Sequence, residues 1–468
     1  MRPVYLTFAA LLLSGSALAA PPSHPPTNHP QAEAEALDLA KKAIAMRSVA
    51  GPGDQTPKVA ALYRDALVAG GFKSSDITIT PEGTTAYLIA RWPGSDPKLK
   101  PLVISGHMDV VEAKPADWTR DPFTPVVENG YLFGRGATDM KLNGTLSIAA
   151  LSELRRQGFK PRRDIIIEFS GDEETDMKTG AIIAKKLSNA ELVLNMDGGG
   201  GVLNEKTGQP EYLTWDGAEK TYADFKLSVT NPGGHSSEPR KSNAITELAA
   251  ALVRIGDYRF KPELNDLTKA YFTSAAKYQN DPKVAAAMRT FAANPADKSA
   301  IETLAADPAM VGKIGTTCVA TMLSGGHALN ALPQRAEANI NCRIFPGHSR
   351  PDIMAELKKV AAEPHLTIAD VTSGSVATAA SPARPDFTAA VQKAAAAAYP
   401  GVPVFPVMAS GASDSMWFRA QHVDSYGASP VFTKESENFS HGLNERTPIA
   451  DIAPSITYLT VLFSDLSK

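Results

Sequence analysis

Cysteine is scarce: Cys318 and Cys342 are the only two in 468 residues, too few for a thiolate metal cluster. An excess of one charge is missing too. Lys and Arg number 47 against 50 Asp and Glu, a net charge of −3 that leaves no basic footprint for nucleic acid. Beyond the first twenty residues no apolar run approaches the ~20 residues that span a bilayer, so stable membrane insertion is not expected. No repeat recurs at a fixed period. What is present, 43% hydrophobic and 21% charged residues, is a globular composition long enough for two or three domains with their own cores.

The opening "MRPVYLTFAALLLSGSALAA" reads as a secretory signal over residues 1–20, with Arg2, an apolar stretch from Val4 to Leu13, and the small-residue pattern Ala17-Leu-Ala19. Its apolar stretch is short for a membrane anchor. Cleavage after Ala19 or Ala20 is expected, giving a periplasmic or secreted protein. The proline-rich segment 21–30, "PPSHPPTNHP", reads as an extended linker whose His24 and His29 are solvated.

Over residues 31–218 helical and strand patterns alternate. The helices "AEALDLAKKAIAM", "TPKVAALYRDALVAGG" and "GTLSIAALSELRRQG" accompany the strands "TAYLIARW", "PLVISGH", "DIIIEFSGDEE" and "AELVLNMDGGG". Strands apolar along their length indicate a largely parallel sheet covered on both faces. Residues 219–377 change character, running β-α-β-β-α-β from "KTYADFKLSVTN" to "LTIADVTSG", the ferredoxin-like order. An Ala- and Lys-rich segment, about residues 257–313, interrupts that unit and reads as helical. The first pattern resumes over 378–468. The expectation is therefore one α/β domain split by an inserted α+β domain. The two cysteines fall on strands that read as a hairpin folding near Asn330; a disulfide and two buried thiols both fit.

The chemistry concentrates at strand ends. His107 and Asp109 follow "PLVIS", Glu173 and Glu174 follow "IIIEFSGD", and Asp197 follows "LVLNM"; Asp139 lies in "GRGATDMK" and His441 in "NFSHGLNE". Ligands of open α/β sheets bind at the carboxyl ends of the strands. Each residue alone reads as a cap or a structural histidine. Two adjacent carboxylates at a buried strand end repel, however, and need a cation to offset them. Two histidines with three carboxylates suit zinc, with cobalt or manganese as alternatives.

"SGHMDVV", "GRGATDMK", "GDEE", "NMDGG", "GGHSS", "LNALPQRAEANINCR" and "HGLNE" occur in order over residues 31–468. In these the chain resembles the dizinc metallopeptidase family of aminoacylases, carnosine dipeptidases, glutamate carboxypeptidases, Gly-X carboxypeptidases and succinyl-diaminopimelate desuccinylases. The resemblance implies a zinc-peptidase-like, doubly wound mixed sheet with an inserted ferredoxin-like lid and dimerisation domain. It implies two zinc ions, one on His107 and Asp197, the other on Glu174 and His441, with Asp139 bridging. Asp109 would orient His107 through its second ring nitrogen, and Glu173 would act as general base. His235 would reach the oxyanion, often from the other subunit of a homodimer. Asn330 and Arg343 would hold the substrate, joined by Gly411, Ser413 and Asp414 in "SGASDS". Asp at 197, where several relatives carry Glu, tilts the expectation toward dipeptides or short peptides with a free terminus. An N-acyl-amino-acid amidohydrolase and a non-catalytic binding protein are the competing readings. Leu142-Asn143 ahead of Gly144 departs from the family, which has a glycine soon after the "DMK" lysine.

Overall fold

The computed structural model describes residues 28–437 and 439–468, so the expected secretory signal over 1–20 and most of the expected linker lie outside the described residues. His29, expected in that linker, instead precedes the first residue of the helix Pro30–Ile44, and its Nδ1 lies 3.2 Å from Glu153. Proline at the first helical position needs no N–H partner, which is why the helix begins there.

The larger sheet has ten strands and is mixed. Its centre is parallel: Ile165–Ser170, Leu102–His107, Leu192–Asn195 and Ser425–Gly427 lie side by side. The flanks combine antiparallel pairs with the parallel pairs of Val404–Ala409 on Pro210–Glu219 and Phe432–Thr433 on Gly200–Leu203, so the sheet is mixed, as the resemblance implied. Ile77–Glu82 and Thr85–Trp92 form a hairpin on one side, and Pro210–Glu219 returns antiparallel to Gly200–Leu203 on the other. Short turns permit antiparallel neighbours, whereas the parallel strands need helical crossovers. Side-chain alternation sorts the central strands between two cores. Leu102, Ile104, Ile165, Ile167, Leu192 and Leu194 face a large cluster with the helices Pro30–Ile44, Lys141–Arg156, Pro385–Ala398 and Ile452–Leu466. Val103, Ile166 and Val193 face a smaller one with Ile183 and Phe418. Residues Ile449–Leu466 are as apolar as a membrane span, with mean hydropathy 1.3, but 61% of that stretch is buried inside the protein.

The inserted unit is a four-stranded antiparallel sheet in the order Thr317–Gly325, Arg335–Ile344, Thr221–Thr230, Leu366–Asp370. The helices Ala244–Asp257 and Arg350–Ala361 pack on alternate residues such as Phe225, Leu227, Ile340 and Ile344. Cys318 stands opposite Cys342 across two strands and is disulfide-bonded to it. The interrupting segment is helical, with helices capped by the side chains of Asn265, Asp281, Asp297 and Asp307. Its leading Phe260 touches the lid core, but its helices pack elsewhere. Phe272, Met288, Phe291 and Leu304 pack on Tyr212 and Phe405 of the large sheet.

Candidate metal centre and substrate cleft

His107 ends its strand, and Asp197 lies two residues beyond the neighbouring strand, so both side chains emerge at the carboxyl edge of the parallel core. Glu173 and Glu174 follow the adjacent strand, Asp139 precedes the helix Lys141–Arg156, and His441 comes from the last loop. Asp139 stands between the two histidines. Its Oδ1 is 3.0 Å from His107 Nε2 and its Oδ2 is 3.1 Å from His441 Nε2. Asp197 Oδ1 is 3.7 Å from His107 Nε2, and Glu174 Oε2 is 3.0 Å from His441 Nε2. Three groups of potential ligands result, His107–Asp139–Asp197, Asp139–Glu174–His441 and His107–Glu173–Glu174, each with its ligand atoms within 4.8 Å of one another, and the first two share Asp139. One carboxylate shared by two such groups is the donor arrangement that fits a pair of divalent cations.

The electrostatics point the same way. Burial pushes Glu173 well above the usual carboxylate range; His107 opposes this, while Asp197, Asp414 and Glu174 add to it. Burial raises Asp197 to about 6, with Asp139 adding repulsion. Hydrogen bonds with Asp139 and Glu174 raise His441 to about 10. Burial acts to raise Asp139 as well, yet its bonds with the two histidines hold it below the ordinary range. So many crowded carboxylates, balanced by protons and imidazolium, form a site whose negative charge a metal would neutralise.

Asp109 lies against the second ring nitrogen of His107, with its main-chain carbonyl the nearer acceptor. His107 Nδ1 bonds the Asp109 backbone carbonyl at 3.1 Å, with the carboxylate Oδ1 farther away at 3.5 Å. That carboxylate instead accepts the N–H groups of Glu173 at 3.1 Å and Glu174 at 3.0 Å. Two converging N–H donors outcompete a single ring N–H for a buried carboxylate. Glu445, the last residue of "HGLNE", was not singled out from the sequence, and it organises the site. Its fully buried carboxylate accepts the N–H groups of Gly136, Thr138 and Asp139 and pairs with Arg135 at 2.7 Å. Arg135 in turn donates to the carbonyls of His441 and Gly442, so one ion pair ties the Asp139 loop to the His441 loop.

A cleft of about 430 Å³ opens between lid and sheet, lined by Glu173, Glu174, His441, Arg343, Tyr222 and Gly411. The Arg343 guanidinium lies over the Tyr222 ring, 4.8 Å from its centroid. Asp224 beside it is engaged by Asn339 and Asn341 at 2.8 and 3.0 Å. A second cavity of about 560 Å³ lies against Asp139 and Asp197, walled by the glycine run 198–201 and by Ala309 from the helical segment.

Three expected substrate contacts lie elsewhere. Of "SGASDS" Gly411 and Ala412 line the cleft. Ser413 is buried against Glu219 and Asn195, and Asp414 against Ser170. Asp414 also packs so closely on Gly180 that a Cβ there would meet its Oδ1 at 1.9 Å. Both side chains support the strands from within, because buried polar groups turn to the donors and hydroxyls around them. Asn330 sits apart from Arg343. It accepts the Ser236 N–H at the far end of the lid sheet, beside exposed His235. The strand from Tyr222 to Thr230 separates the two ends by roughly 26 Å at ~3.3 Å per residue. His235 Nδ1 accepts from Ser237 N–H at 3.1 Å, which leaves the ring proton on Nε2.

Residues 103–465 match the profile described as peptidase family M20/M25/M40. The chain belongs to that family. A probable carboxypeptidase S-like 2 from Dictyostelium discoideum is 27% identical over 390 residues, 81% of this chain and 74% of the relative. An N-fatty-acyl-amino acid synthase/hydrolase from Xenopus tropicalis is 28% identical over 366 residues, 75% of this chain and 70% of the relative. Among solved structures, an M20 family metallo-carboxypeptidase from Sulfolobus solfataricus superposes with TM-score 0.69 at 20% identity, covering 92% of this chain and 98% of that one. The family is one of metal-dependent hydrolases of peptide bonds. The mixed sheet with its lid is the fold of these peptidases.

Proposed function

We propose that this protein is an exported dizinc peptidase that removes residues from dipeptides or short peptides bearing a free carboxylate. The observation that carries the reading is Arg343, a half-buried guanidinium in the cleft that also holds Glu173, Glu174 and His441. Arginine pairs with a carboxylate through two parallel hydrogen bonds, so it would fix the substrate's C-terminus within reach of the ligand groups. Two zinc ions on His107, Asp197, Asp139, Glu174 and His441 would polarise the scissile carbonyl and acidify the attacking water. Glu173, in the same cleft, would take the proton from that water and pass it to the leaving amine nitrogen. Export is supported by the composition of residues 1–20 and by the Cys318–Cys342 disulfide, which suits an oxidising compartment.

The working unit in this reading is a homodimer. His235 and Asn330 lie far along the lid from the cleft of their own chain, and only a second copy would bring them to a site. The lid's edge strand Thr317–Gly325 offers a surface for pairing, with Val319, Met322 and Leu323 61%, 70% and 67% exposed.

A second reading, hydrolysis of N-acyl amino acids, is favoured by the cavity beside Asp197, whose floor of four glycines offers room for a bulky acyl group. The named activity of the Xenopus relative points the same way. A panel of dipeptides against N-acetyl and long-chain N-acyl amino acids separates the two. Turnover confined to the acylated set overturns the peptidase reading.

A further inference from the structure

The lid holds a second meeting of ligand-type side chains, on elements separate from the cleft. Glu247 lies in the first turn of the helix Ala244–Asp257. Glu363 and His365 flank Pro364 in the link between the helix Arg350–Ala361 and the strand Leu366–Asp370. One oxygen from each glutamate and one ring nitrogen of His365 lie within 4.8 Å of one another. His365 Nδ1 is 3.6 Å from Glu247 Oε2 and 3.6 Å from Glu363 Oε1.

Those separations are too long for hydrogen bonds. They fit a shared cation, because a tetrahedral ion with bonds of about 2.0–2.1 Å holds its ligand atoms about 3.3 Å apart. The decisive atom is Glu247 Oε2. It is buried and has no hydrogen-bond partner, on a side chain only 10% exposed, and it faces His365. A buried carboxylate oxygen without a donor is costly, and a cation would satisfy it. The rest of Glu247 is already oriented. Its Oε1 accepts from Asn231 Nδ2 at 3.2 Å and from Ser242 Oγ at 2.6 Å, the backing that metal-ligating carboxylates receive. Glu363 Oε1 is positioned by the His365 backbone N–H at 3.0 Å.

We propose that Glu247, Glu363 and His365 form a divalent-cation site of the zinc class in the lid, independent of the catalytic cleft. One imidazole and two carboxylates are a zinc donor set, and the 63% exposure of the His365 side chain leaves a fourth position to solvent and a path for entry. The ion would clamp the start of one lid helix to the end of the other, where Arg254 Nε already bonds the Ala361 carbonyl at 2.7 Å. Through Asn231 and Ser242 it would also brace the loop that carries His235.

Without an ion the three side chains would simply neighbour one another, and zinc counting separates the two. The full chain is stripped with a chelator, dialysed against zinc, and its zinc per chain is measured by elemental analysis. The wild type should hold one zinc more than His365→Ala and one more than Glu247→Gln. Both changes keep the fold, since His365 is exposed and glutamine retains the acceptor for Asn231 and Ser242. The result is a difference, so it stands apart from occupancy of the cleft. Glu174→Gln would lower the count equally with or without His365→Ala. Equal counts for wild type, His365→Ala and Glu247→Gln overturn the site.

Discussion

The carboxylate of Asp109 holds the backbone of Glu173: Oδ1 accepts the Glu173 N–H at 3.1 Å while Oδ2 takes that of Glu174 at 3.0 Å. One buried acid thereby fixes the turn that presents both the proposed base, Glu173, and a proposed ligand, Glu174. In Asp109→Asn an amide NH2 would face an N–H donor, and one of the two bonds is lost. Metal affinity should fall about 10- to 100-fold. Titration against a competing chelator measures this, and an affinity equal to wild type would show that the turn needs no such brace.

Glu173 lines the cleft and meets His107 and Glu174, but it lies outside the two triads that share Asp139, the ones proposed to hold the metals. Glu173→Gln should therefore keep both metals and its KM while kcat drops by roughly 10²- to 10⁴-fold. Steady-state kinetics beside metal analysis checks the split. Near-normal turnover would assign the proton transfer to another group.

Glu445 and Arg135 are a buried pair that joins two ligand loops. Glu445→Gln leaves Arg135 without its counter-charge and turns an amide toward backbone donors. Breaking one side of such a pair typically costs about 3–5 kcal/mol. Denaturant unfolding should show a loss of that order together with a lowered metal content. A loss of metal with stability unchanged would confine Glu445 to the site alone.

Asp451 is buried at the start of the helix Ile452–Leu466, where burial pushes its carboxyl up to about 7 against the Phe432 N–H bond at 2.8 Å. Between its unfolded value near 4 and about 7 the folded state binds a proton that the unfolded chain does not, so this group's contribution to stability falls as pH rises. Asp451→Asn keeps the acceptor for Phe432 and removes the charge. It should stabilise the protein above pH 7, by at most about 4 kcal/mol, and leave it unchanged near pH 3. Thermal melts across that range test it; a variant no more stable than wild type at pH 8 contradicts the assignment.

His235 and Glu173 allow a test of the dimer. If His235 serves the partner's cleft, His235→Ala and Glu173→Gln each silence both sites of their own homodimer. Mixing them after subunit exchange should restore roughly a quarter of wild-type activity, from the one intact site in each mixed dimer. Activity that stays at the sum of the two variants would place His235 in its own chain's cleft or outside catalysis.

Much of the catalytic half was legible before any coordinates. Apolar strands ending in His107, Glu173–Glu174 and Asp197 announce ligands at a sheet edge, because strand periodicity and the terminal residues are local. The β-α-β-β-α-β order of the lid is legible for the same reason. Glu445 stood in a quoted motif, but its role depends on Arg135, more than 300 residues earlier. "SGASDS" read as one substrate loop until burial divided it, leaving Gly411 in the cleft and turning Ser413 and Asp414 inward.

By itself the sequence determined the order of elements, the candidate ligand residues and the family, since these reside in periodicity and short motifs. The tertiary structure alone decided which distant groups meet. It set Asp139 between His107 and His441, folded the helical segment onto the large sheet, and parted Arg343 from Asn330 along the lid strands. It also brought Glu247 to Glu363 and His365. Such meetings depend on how burial and hydrogen bonding are satisfied across segments far apart in the chain, and no local pattern records them.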